Sequence, residues 1–276
     1  MARIADSQRP RPDFTDPPVI EIALSVGFSP LSRYANAHSG LFSRRYAKTF
    51  KNVEEHPAYS IQPVGGSQET RPKIEIVDGP PPIRTWLITN DGSELLQMQR
   101  DVFAHNWRKT GSRQEYPRYE SVRSRFQQYF QSFVEFIDEE DLGTIEANAC
   151  EVTYVNHIPT GEHLQASGNL EELMTLWSWP HTTFLAKPRE ARFTAQFLIR
   201  DDNDKFIGHL NVDVKPAYRL SDNSEIVVLS LTARGMQFSD KIDELLSFFD
   251  LGREWIVRGF TDLTTPKMHK VWGRVR

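Results

Sequence analysis

Val122, Phe126, Tyr129, Phe130, Phe133 and Ile137 recur at helical spacing, and a stripe of that width must be buried against a broad apolar surface. A second stripe of Phe238, Ile242, Leu245, Leu246, Phe249, Ile256 and Phe260 predicts another long helix, with Ser239 or the residue before it as its cap. The remaining material is mostly strand-like. Val19 to Phe28 alternates apolar residues, and Pro17-Pro18 before it suits an entry segment without backbone donors. Trp86 to Thr89, the turn Asn90-Asp91-Gly92 and Glu94 to Phe103 read as a hairpin, because Asp-Gly supplies the positive φ of a tight turn. Strands are expected at Lys73 to Val77, Cys150 to Ile158, Arg192 to Arg200, Phe206 to Lys215 and Glu225 to Ala233. Shorter helices are expected around His38 to Phe50 and Leu170 to Trp177.

Hairpins without regular strand–helix alternation favour an α+β fold. The expected architecture is a large, mostly antiparallel sheet with the two long helices packed on one face. Residues 1–16, polar with two prolines, read as a flexible leader. An N-terminal α+β half, 17–145, and a C-terminal α+β half, 146–276, follow with a similar order of elements, either as two halves or as one continuous domain.

Charge limits the function classes. The 33 Lys+Arg against 37 Asp+Glu leave a net charge of −4, which excludes a strongly basic nucleic-acid coat or an acidic tail as the identity of the whole chain. Cys150 is the single cysteine, so neither an intrachain disulfide nor a thiolate cluster can form. The absence of a secretory pattern near Met1 and of a long apolar run points to a cytoplasmic protein with no membrane partner.

Common catalytic templates are missing. There is no Gly-x-x-x-x-Gly-Lys, no Gly-x-Gly-x-x-Gly after a strand, no Gly-x-Ser-x-Gly and no His-Glu-x-x-His. Asp201 with Asp213-Val214-Lys215 resembles a nuclease carboxylate set, but a hairpin turning at Asp202-Asn203-Asp204 puts Asp213 opposite Thr194, about 23 Å from Asp201 at strand rise. His157 and His163 are better read as surface residues than as metal ligands, so neither a metal site nor a cofactor is expected. Along Glu151 to Ile158, alternation sets Tyr154 and Asn156 on one face and Glu151 and His157 on the other. Tyr154, Asn156 and His157 form a possible polar site at the strand end, with a hydrogen-bonded core pair as the plainer alternative.

Chemistry concentrates from Arg100 to Arg125, where seven Lys or Arg against three acids give a local net of +4. Asn106, Trp107, Arg108, Lys109, Arg113, Tyr116, Arg118 and Tyr119 form the candidate binding surface, with cations for phosphates and with Trp107 and Tyr119 for stacking on bases. The plainer alternative is a solvated basic face with aromatics anchoring a loop. A second basic run, Lys267 to Arg276, includes Trp272. Six carboxylates from Glu135 to Glu146 could pair with either run across an oligomer interface.

Pro17-Pro18-Val19-Ile20-Glu21, Leu96 to Asp101 with Asn106 to Lys109, Tyr116 to Glu120 and Tyr154 to Ile158 together resemble a sporadically distributed family of uncharacterised bacterial proteins. That family has no assigned activity, so the resemblance implies no catalytic residue. Its patchy occurrence implies a mobile or defence-related setting. The expected function is a non-catalytic binding protein that engages nucleic acid or a partner protein, and that can form a homo-oligomer. The alternatives are an assembly or antitoxin-like subunit, and a hydrolase or nuclease with an unrecognised site involving His157 or Asp213.

Overall fold

Residues 10–59, 61, 82–111, 114–178, 184–201, 203–236 and 242–276 are described in a computed structural model of the chain. The strands are β1 (Val19–Phe28), β2 (Phe50–Pro57), β3 (Ile83–Thr89), β4 (Glu94–Gln99), β5 (Val102–Arg108), β6 (Ala147–Pro159), β7 (Phe193–Arg200), β8 (Phe206–Tyr218) and β9 (Glu225–Met236). The helices are α1 (Asn36–Ser43), α2 (Tyr119–Glu139), α3 (Leu170–Leu173), α4 (Ile242–Leu263) and α5 (Pro266–Val271), with a 3-10 turn at Arg44–Tyr46. The strands form a large antiparallel sheet in the order β2-β3-β4-β5-β1-β6-β9-β8-β7, which makes the fold α+β.

Contacts divide the chain into two compact units. In the unit made of Glu21–Val152 and Arg234–Asp250, the aromatic stripe of α2 lies on alternate residues of the sheet. Phe103 of β5 meets Phe126, Phe130 and Phe133 at ring distances of 6.0, 5.5 and 4.9 Å. Phe249 of α4 closes on Phe126 edge-on at 4.9 Å. Phe42 of α1 packs against Phe133 and Phe136, which seals the far end of the stripe. Every residue of the expected α2 stripe is buried.

The β3–β4 turn works as its sequence predicts. Gly92 takes φ 73°, and the Asp91 carboxylate accepts from Thr89 Oγ1 at 2.7 Å and Ser93 N at 3.1 Å. Those donors hold the Asp91 carboxyl below its ordinary value. Arg100 and Asp101 make a second turn, so the single strand expected from Glu94 to Phe103 is two, β4 and β5.

The helix expected from His38 to Phe50 is shorter than its pattern. Its α-helical part ends at Ser43, and Phe50 instead opens β2, an edge strand whose mostly exposed residues carry no period-two signal. The strand expected at Lys73 to Val77, and Phe238 and Ser239 at the start of the last helix, lie outside the described residues.

The other unit comprises the segment ending at Ile20, Thr153–Ala233 and Leu251–Arg276. Here Phe14, within the sequence assigned to the leader, is buried against Phe260 and Trp272 and bridges Arg274. Arg11 pairs with Glu254 at 2.6 Å. Trp272, the aromatic of the second basic run, is thus a core residue, and Lys267 of that run is paired with Glu172 at 2.7 Å. The β7–β8 hairpin sets Thr194 opposite Asp213, and Asp213 pairs with Lys215 of its own strand.

Candidate nucleic-acid interface

Strand alternation decides which of the sequence-predicted residues meet. On β5, Phe103 and His105 touch α2, and Trp107 meets Tyr116 at 5.5 Å. Ala104, Asn106 and Arg108 therefore project from the opposite face, helix-free among the described residues, where Ala104 and Asn106 are buried and Arg108 is half-buried. The run Asn106-Trp107-Arg108 is contiguous in sequence but divided by the sheet.

Trp107 and Tyr119 are 3% and 1% exposed. Neither presents a ring to an incoming base, which corrects the stacking role given to them. Tyr119 instead donates its hydroxyl to Asp250 Oδ1 at 2.9 Å, and Arg123 Nε reaches the same oxygen at 2.8 Å. The pair fastens the first turn of α2 to α4. Tyr116 is half-buried between Trp107 and the Arg118 guanidinium, which lies 5.8 Å from its ring. Arg118 is exposed at the helix entry with φ 66°, and Lys109 is half-buried just past β5. Arg113 lies outside the described residues.

The second predicted cluster does not assemble either. Asn156 is buried and donates Nδ2 to the Leu229 carbonyl at 3.0 Å, while Tyr154 is buried on the same side of β6. His157 sits on the opposite side, where burial and the Arg219 charge lower its pKa. Two of the three residues are therefore core groups, and the third lies across the strand from them.

What the helix-free face does assemble is a row of side chains from five strands. Gln97 of β4 donates Nε2 to Asn106 Oδ1 at 2.7 Å, and Asn106 donates Nδ2 to Glu21 Oε1 of β1 at 2.5 Å. The three residues make a diagonal hydrogen-bonded line across β4, β5 and β1. Arg108 faces Glu21 directly in the β1–β5 register. Burial raises the Glu21 carboxyl pKa, opposed by the Asn106 hydrogen bond and the Arg108 charge.

On β3 the same face carries Arg84 and Trp86. The Trp86 ring is covered by His56 of β2 at 3.8 Å, and the guanidiniums of Arg84 and Arg108 lie 5.2 and 5.8 Å from it. Arg84 also lies 4.6 Å from the Tyr59 ring, and burial lowers its pKa. Tyr59 closes one end of the face, its backbone exchanging hydrogen bonds with the Gln99 amide. Arg84 and Arg108 form no ion pair among the described residues, and the Nε of each is buried without a hydrogen-bond partner there. The surface thus combines two cations that form no ion pair among the described residues, an aromatic stack and a polar line.

Sequence reasoning missed Glu21, His56, Tyr59, Arg84, Trp86 and Gln97 as one group. The signal was present in part: reading Val19 to Phe28 with period two separates Glu21, Ala23, Ser25 and Gly27 from Ile22, Leu24, Val26 and Phe28. Which strands lie side by side is a tertiary fact that no single strand carries.

Among the described residues, no three His, Cys, Asp or Glu side chains converge to hold a metal ion, and no helix is long and apolar enough to cross a membrane. A second titratable cluster lies under α2, where Glu94 contacts His105 at 3.3 Å and pairs with Arg125. His105 is fully buried, which lowers its pKa and closes it to substrate. Compared with family models, curated proteins and solved structures, the chain matches none.

Proposed function

We propose that the protein is a non-catalytic binding protein that takes single-stranded nucleic acid on the helix-free face of β2, β3, β4, β5 and β1. One observation carries this reading: Arg84 and Arg108 both lie over Trp86, all three half-buried on one sheet face, and neither arginine is paired with a carboxylate among the described residues. A desolvated guanidinium gains from an anion, and a phosphate offers oxygens in the fork geometry that arginine matches. The His56–Trp86–Arg84 stack gives a base a π-face to extend. Beside the arginines, the buried Gln97–Asn106–Glu21 line holds the floor of this face in place, and Glu21 stands opposite Arg108. Arg108 thus keeps its expected role as a phosphate contact, while the partly exposed His56 ring, backed by Trp86, takes the stacking role that the buried Trp107 and Tyr119 cannot fill.

Fluorescence anisotropy of labelled single- and double-stranded oligonucleotides, at two salt concentrations, tests this. The wild type is expected to bind the single strand with an affinity that falls steeply with salt, and the Arg84→Ala/Arg108→Ala variant is expected to lose that binding. Failure to bind at low salt, or binding unchanged in the variant, overturns the reading.

A further inference from the structure

The two edges of the sheet are built differently. At one end β2 carries Lys51, Glu54, Glu55 and Pro57, the charges and proline with which an exposed edge resists pairing. At the other end β7 runs Phe-Thr-Ala-Gln-Phe-Leu-Ile from Phe193 to Ile199, with neither charge nor proline until Arg200. From Phe193 to Leu198 its residues alternate between half-buried and exposed before the buried Ile199, Leu198 stands half exposed, and among the described residues β8 is its one neighbour in the sheet. The outer backbone N–H and C=O groups of such a strand are a template for another strand.

We propose that two copies of this chain associate through β7, edge to edge and antiparallel about a two-fold axis, with Phe197 opposite Phe197 of the second copy. An isologous contact needs a self-complementary strand, and this register provides one. It sets Leu198 against Gln196 and Arg200 against Thr194, with an aromatic pair at the centre and no like charges opposed. Moving the centre to Gln196 would set Arg200 against Arg192 of the second copy. The register centred on Phe197 avoids that repulsion. A contact of this kind continues the antiparallel ladder through the dimer and leaves the charged β2 edge exposed. It is independent of nucleic-acid binding, since β2 and the helix-free face take no part in it.

Light scattering coupled to size exclusion tests the association. The wild type is expected at twice 31.9 kDa. Gln196→Lys/Leu198→Lys, which opposes lysines twice across the proposed axis, is expected at the monomer mass with an unchanged circular dichroism spectrum. Val53→Lys on the β2 edge is expected to remain dimeric. Phe197→Cys provides a second readout: mild oxidation should link the copies through that residue, while Cys150 is buried and cannot. A monomeric wild type at high micromolar concentration, a dimer that survives the double lysine variant, or a dimeric Phe197→Cys protein that fails to cross-link overturns the proposal.

Discussion

Asn106 gives its Nδ2 hydrogen to Glu21 Oε1 at 2.5 Å while accepting one from Gln97 at 2.7 Å, so one buried amide satisfies partners on both neighbouring strands. Asn106→Ala removes both bonds and leaves a desolvated carboxylate and a buried amide without their partner. The expected loss is about 2–3 kcal/mol of stability, read as a lower denaturant midpoint at unchanged slope. A loss within experimental error would show that the line is not under tension from burial.

Burial of the Glu21 carboxyl sets a pH dependence. Burial raises the Glu21 pKa above its ordinary 4.5, so between 4.5 and the folded value the native state binds the proton more tightly than the unfolded chain. The contribution is present below 4.5 and is lost as pH rises through the folded value. Glu21→Gln should therefore flatten the fall of the denaturation midpoint across that window. Glu151, also raised by burial and paired with Arg234, should account for part of the slope that persists. An unaltered pH profile in Glu21→Gln would exclude Glu21 as its source.

Much of the fold was legible because burial imprints a period. The α2 stripe and β1 declare themselves, since each has one face against the core and one away from it. The Asp91-Gly92 turn is as clear, because few residues tolerate its φ. β2 was not legible: an edge strand with mostly exposed residues buries too little to leave a pattern. Of the proposed binding face, only Asn106 and Arg108 were legible. Asn106, Trp107 and Arg108 looked like one patch because they are adjacent in sequence, and the pleat sends Trp107 to the α2 side while its neighbours stay on the other face. Arg84 and Trp86 reach Arg108 only once β3, β4 and β5 are aligned.

Burial of Tyr119 separates two effects that the sequence merged. Tyr119→Phe removes the hydroxyl bond to Asp250 and should cost about 1 kcal/mol of stability while leaving oligonucleotide affinity unchanged. Arg108→Ala should do the reverse, holding the denaturation midpoint nearly constant and reducing the salt slope of binding by about one. A Tyr119→Phe protein that folds normally but binds several-fold more weakly would return the interface to the start of α2.

Gly168 and Gly235 test how rigid the surroundings of a missing side chain are. A Cβ at Gly168 would lie on the Pro188 carbonyl oxygen, with the Pro188 and Arg189 carbonyl carbons at 2.7 and 2.9 Å, so relief requires two backbone segments to part. At Gly235 the obstacle is the ring of Phe248, whose Cδ2 would stand 2.7 Å away. A side chain can turn where a backbone cannot. Gly168→Ala is therefore expected to cost about 3 kcal/mol or more, and Gly235→Ala about 1–3 kcal/mol, as for an overpacked core. Thermal denaturation of the two variants side by side decides the order, and a Gly168→Ala protein as stable as the wild type would mean that the 168 and 188 segments do not approach as closely as described.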